Sequence, residues 1–247
     1  MPRYDSYELT QKESIRYYII SGLVLAGIGY LFYHNIFFCI LLMSLTYPAK
    51  KYYIKHLSEK RKRELTGQFR DLLYSLSASF ATGRHMKEAL EDASEGLLLI
   101  YNEDSPICTE LSYMVKKMKE TKQSEEELLR DFAIRSCLDD IQSFVDIYSI
   151  CKKSGGNLEK VVMKAAEVLL DKIDIQREIH KLTAQKRLES YIITAIPFVI
   201  IGFLHIASPD YLSIMYETLA GKAIMSFALL GIFISYIWST KLTQIEL

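Results

Sequence analysis

The chain has 247 residues, and its 30 basic and 30 acidic side chains cancel, which removes any whole-chain electrostatic bias toward nucleic acid or acidic ligands. The charge is nevertheless segregated, because residues 17–49, 190–209 and 223–240 carry no Asp, Glu, Lys or Arg. The four cysteines form no CxxC pair, which counts against zinc and redox motifs and fits scattered apolar-like thiols in a reducing compartment.

Residues 1–16 read as a cytoplasmic N-terminal segment, with Arg3, Lys12 and Arg16 on the inner side of the first apolar block. A bilayer core of about 30 Å needs about 20 apolar helical residues, so the block 17–49 is too long for one crossing. His34-Asn35 interrupts it near the middle, which predicts a first transmembrane hairpin over 17–49. Its second limb, Ile36 to Tyr47, is short: a thin span and a partly re-entrant segment are both open readings, with Tyr47, Tyr52 and Tyr53 as interfacial anchors. A signal peptide fits poorly, since the block starts late, is too long, and has no small-residue cleavage site before Lys50.

The next stretch is basic: Lys50, Lys51, Lys55, Lys60, Arg61, Lys62 and Arg63 stand against Glu59 alone. It reads as a topology signal that also contacts anionic membrane lipids, or as a partner-docking patch. Residues 50–189 then read as a cytoplasmic helical domain. Phe69, Leu72, Leu73, Leu76 and Phe80 recur at helical spacing, as do Met86, Ala89, Leu90, Ala93 and Leu97. Ile141, Phe144, Val145 and Tyr148 form a third stripe, and Leu158, Val161, Val162, Ala165 and Leu169 a fourth. Breaks near Gly83, 102–106, 121–124, 136–138 and 155–157 divide the domain into about six helices, an antiparallel bundle. A faint repeat aligns Gly83-Arg-His-Met with Gly155-Gly156-Asn157-Leu158, and a weaker third copy has Lys122 where the others have glycine. Turns that cap bundle helices with glycine give the same pattern without any repeat.

A second transmembrane hairpin is predicted over 190–240, with spans near 190–207 and 223–239, Pro197 kinking the first of them, and a tail at 241–247. The connecting loop 208–222 has Asp210, Glu217 and only Lys222. The basic excess at 50–63 therefore puts both termini and 50–189 in the cytoplasm and both short turns outside. The expected fold is all-α: four transmembrane helices in two hairpins flanking the bundle.

Catalytic patterns are missing. There is no GxGxxG, HExxH, GxSxG or DxDxDG. Gly221-Lys222 lacks the rest of a phosphate loop, and Gly155-Gly156-Asn157 is explained better by a C-cap followed by an N-cap than by an anion site. The five histidines are dispersed, with His34 and His205 near membrane boundaries, and the acidic clusters read as solvated helix faces. The sequence therefore reads as a non-enzyme without cofactor or metal.

The order of these features resembles the type II secretion system F domain family. Residues 69–83, from Phe69-Arg-Asp-Leu-Leu to Ala81-Thr-Gly83, are similar to that family's opening helix and its closing glycine, and Met86-Lys-Glu-Ala-Leu follows where its second helix starts. Ser154-Gly155-Gly156-Asn157-Leu158 looks like its Gly-Gly-Asn-Leu turn, and Ala195-Ile-Pro197 and Pro209-Asp-Tyr211 continue the likeness. One F domain between two hairpins resembles the Tad (Flp pilus) platform proteins, nearer TadB than TadC. The resemblance implies an inner-membrane scaffold whose partners are a secretion-type hexameric ATPase, a second platform subunit and pilin subunits, with Gly83 and the 155–157 turn structural or partner-facing. A small transporter or channel is the alternative, but it needs polar groups at mid-membrane that these spans lack.

Overall fold

The computed structural model describes Tyr4, Leu9 and residues 11–44, 46–154 and 158–242. Among these, ten helices carry all the regular structure: α1 (Gln11–Tyr33), α2 (Ile36–Ser44), α3 (Thr46–Ala81), α4 (Met86–Leu98), α5 (Pro106–Glu120), α6 (Glu125–Ser136), α7 (Asp139–Ser154), α8 (Leu158–Ala207), α9 (Pro209–Glu217) and α10 (Leu219–Leu242). The chain divides into two compact units, one of Met1–Glu8 and Ile54–Arg177, the other of Leu9–Tyr53 and Glu178–Leu247. Helices α3 and α8 contribute residues to both.

The first unit is a helical bundle. Its short helices begin and end where local chemistry dictates. Ser105 precedes Pro106, which occupies the first turn of α5, where a missing N–H costs nothing. Ser124 accepts a hydrogen bond from the Glu126 amide at the start of α6, which opens with Glu125, Glu126 and Glu127 and closes near Arg135. Helix α7 likewise opens on Asp139 and Asp140 and ends with Lys152 and Lys153. The apolar faces meet in one core that includes Leu65, Phe69, Leu76, Leu90, Leu111, Phe132, Phe144 and Tyr148. Each such side chain contributes about 1.5–3 kcal/mol of transfer free energy, so this core is what holds the bundle together. Three predicted stripes lie on it residue for residue. The fourth is rotated: Val161 is 46% exposed, and the buried face runs through Val162, Ala166, Leu169, Leu170 and Ile173.

The second unit is built of apolar helices. Helix α1 turns back at His34, whose φ is +47°, and runs antiparallel to α2 and the first turns of α3. Tyr33 stacks on Phe38 at 4.1 Å, and Tyr17 stacks on Tyr53 at 4.6 Å while donating to the Thr46 carbonyl. The second limb of this hairpin is helical over Ile36–Ser44 and again from Thr46 into the basic run, with residue 45 outside the described residues. The expected loop 208–222 differs, because it holds helix α9, started by Pro209. Among the described residues, three helices are long and apolar enough to cross a membrane: Gln11–Tyr33, Lys160–Ala207 and Leu219–Lys241. Most of their large apolar side chains, such as Ile193, Val199, Phe203, Phe227 and Phe233, face outward, as a lipid environment requires.

Candidate functional site

The sequence singles out two turns, structural or partner-facing, and one membrane kink. Gly83 lies in the α3–α4 turn at φ +77°, where its amide bonds the Phe80 carbonyl and closes α3. Gly155, Gly156 and Asn157 lie outside the described residues. Pro197 lies inside α8, and the helix continues past it to Ala207.

The basic run does not form one face. All seven residues are on α3, and at about 100° per residue they wrap most of the way around it. Lys50 points at α1, donating to Ser14 Oγ at 3.2 Å and lying 5.5 Å over the Tyr18 ring. Lys55 and Arg63 both approach Glu59 at 3.9 Å. Arg61 is drawn away to the Tyr4 ring, 4.8 Å from its centroid. Lys51 and Lys60 stay exposed and Lys62 half-buried, so the exposed charge is thinner than the sequence suggests.

Tyr4 marks a site that sequence reasoning missed. Glu110, fully buried on α5, takes Arg135 of α6 in a two-pronged ion pair of 2.5 and 2.7 Å. Arg135 also reaches Asp131 at 2.8 Å. The Tyr4 phenol donates to Glu110 Oε1 at 3.2 Å. Burial, with the neighbouring Glu110 carboxylate, pushes that phenol well above the usual tyrosine range. Burial opposes the Arg135 charge, but its bonds to Glu110 and Asp131 outweigh that and hold the guanidinium fully ionised. No local pattern flags this cluster, whose members are brought together only by tertiary packing.

A second polar cluster ties α8 to α3. Arg70 donates to Asp71 and, at 3.0 Å, to Asp174 of α8, while Tyr101 donates to the other Asp71 oxygen. Desolvation, reinforced by Asp71, pushes the Tyr101 phenol up to about 12. Beside it the α4–α5 turn presents Leu99 and Ile100 to solvent. A third cluster, in the membrane-helix unit, joins residues read as dispersed. His34 and His205 approach to 5.3 Å between ring centroids, flanked by Tyr30 and Tyr216, and Tyr216 donates to the Leu31 carbonyl at 2.8 Å. None of these arrangements pairs a nucleophile with a base, and among the described residues no group of three metal-ligating side chains occurs.

The arrangement is that of a helical body joined to apolar helices, with polar contacts spent on holding helices together. Comparison with known proteins agrees with it. The family model described as "Type II secretion system (T2SS), protein F" matches residues 63–206, more than half of the chain, from mid-α3 to the end of α8. Comparison with curated proteins and with solved structures gives no match. With its core stripes, its helical turns and the apolar end of α8 all inside that match, the chain belongs to the type II secretion system protein F family.

Proposed function

We propose that this chain is an inner-membrane platform protein of a Tad/Flp-type type IV pilus or a related type II secretion system. In this reading it couples a cytoplasmic ATPase to pilin assembly. The family match carries the coarse part, since the F domain belongs to platform proteins of secretion and type IV pilus machines. The finer part is supported by apolar helices on both sides of the matched F domain and by α3 and α8 running without a break. An unbroken helix transmits a displacement that a flexible linker would dissipate.

In the same reading the termini and the bundle face the cytoplasm, as the basic excess at 50–63 suggests. Four crossings require α2 to act together with the first turns of α3. The protein meets anionic lipid headgroups, a second platform subunit, a hexameric ATPase and pilins. The test is co-purification of the detergent-extracted protein with the products of neighbouring genes. Recovery of a secretion-type ATPase or of another F-domain protein is expected. Ion or solute flux through the reconstituted chain alone would replace this reading with a transporter or channel.

A further inference from the structure

Helix α8 carries a second apolar line besides the one it buries in the bundle. Val161, Val168 and Ile175 follow one another at steps of seven, yet they are 46%, 56% and 59% exposed. Ala165 lies between the first two, half-buried, and the sequence extends the line to Leu182. At about 100° per residue the centre of this line lies about 130° round α8 from the face of Val162, Ala166, Leu169, Leu170 and Ile173 that meets the core. Positions 161, 165, 168, 172 and 175 alternate steps of four and three, the a/d spacing of a coiled-coil seam. The one polar position among them is Lys172. Its Nζ donates to Asp140 of α7 at 2.6 Å, which draws the charge to the bundle and leaves the aliphatic stem on the line.

We propose that this line is the seam on which a second copy of the chain pairs, α8 against α8 and parallel. Two observations name the occupant. Helix α8 runs on into an apolar, membrane-crossing segment, so copies in one bilayer have the same topology and their α8 helices point the same way; this step rests on the platform function proposed above. A parallel pair in register also sets no like charges across its flanks. Asp171 meets the other copy's Gln176, and Glu178 meets its Thr183. The two Lys172 side chains approach each other, but each is already paired with its own Asp140. The seam is short, and the bilayer compensates for that, because copies held at one depth and in one orientation lose less freedom on pairing.

Cysteine cross-linking of the full-length protein in membranes tests this, with the native chain and its own four cysteines as the background. Val168→Cys and Ile175→Cys should each give, on oxidation, a band of twice the chain mass severalfold above that background. Glu167→Cys, exposed but one residue off the line, should not. In detergent, the double change Val168→Glu with Ile175→Glu should convert a light-scattering dimer into a monomer. Its thermal midpoint should stay within a few degrees of native, since both positions lie outside the core. A native chain that is monomeric and does not cross-link through either cysteine would overturn the seam. So would a dimer that the double change leaves intact, and a cross-linked band containing a different protein would give the line to another occupant. The seam and the platform function fail separately: a lost seam leaves recovery of a secretion-type ATPase in place, and ion flux through the chain leaves the cross-link in place.

Discussion

Lys122 and Gly83 hold the same left-handed backbone, with φ of +52° at the lysine and +77° at the glycine. They close two turns of the bundle, α5–α6 and α3–α4, and occupy matching positions of the faint internal repeat. For a residue with a Cβ that conformation costs about 1 kcal/mol. Lys122→Gly should therefore stabilise the protein by about 0.5 kcal/mol, part of the gain being offset by the freer unfolded chain. Gly83→Ala should destabilise by about 1 kcal/mol through φ alone, since an added Cβ there meets nothing within 4 Å. Denaturant unfolding of the two variants should move in opposite directions, and a shared direction would refute the account.

The Glu110–Arg135 pair makes a different kind of prediction. Arg135→Ala leaves a carboxylate buried without its cation and should cost about 3–5 kcal/mol. The double change Glu110→Leu with Arg135→Met removes both charges and should recover most of that loss. Equilibrium unfolding of the single and double variants reads the difference. A double variant as weak as Arg135→Ala would mean that the pair is not the cause.

Glu125 supplies a pH dependence. Burial works against its charge, but hydrogen bonds from Lys152, from its own amide and from the Tyr148 phenol more than compensate and hold its pKa below the usual carboxylate range. A carboxylate with a depressed folded pKa stabilises the fold fully above the unfolded value of about 4.3, and loses that contribution as pH falls through the lower folded value. Glu125→Gln should thus be weaker than native by about 1 kcal/mol at neutral pH, a partly exposed pair being worth little more. The gap should close as the pH falls below about 4. A gap independent of pH would show that the amide, not the charge, matters.

Two glycines of α10 should behave oppositely. A Cβ on Gly221 would lie 2.5 Å from the Met215 carbonyl oxygen and 2.6 Å from its Cα, whereas one on Gly231 meets nothing within 4 Å. Gly221→Ala must therefore push α9 off α10 at a cost of about 2 kcal/mol. Gly231→Ala should be neutral or slightly stabilising. Thermal unfolding in detergent distinguishes them, and equal midpoints would contradict the close approach.

Much of the bundle was legible because burial leaves a period. Phe69 to Phe80 and Met86 to Leu97 are spaced for one helix face, and that face is buried. The period failed on α8, where Val161 reads as core yet is exposed, because a helix rich in apolar residues on several sides does not announce its phase. The course of α3 was hidden by composition. The charge shift at Lys50 looks like a boundary, but Lys, Arg and Glu are good helix formers, and no glycine or proline interrupts 49–66. Tyr4 and the His34–His205 approach had no local signal at all, since each depends on residues far apart in sequence.

Helix α8 runs for 50 residues from Leu158 to Ala207. In its first turns Val162, Ala166, Leu169, Leu170 and Ile173 lie on the one buried face, and there the helix acts as a ruler. One residue inserted between Val162 and Ile173 would carry the positions beyond it through about 100° and along by about 1.5 Å, turning Ile173 off the core. Seven inserted residues would return the phase to within about 20°. A loop would absorb such changes silently, so in this stretch the count of residues is itself under constraint, whatever their identities.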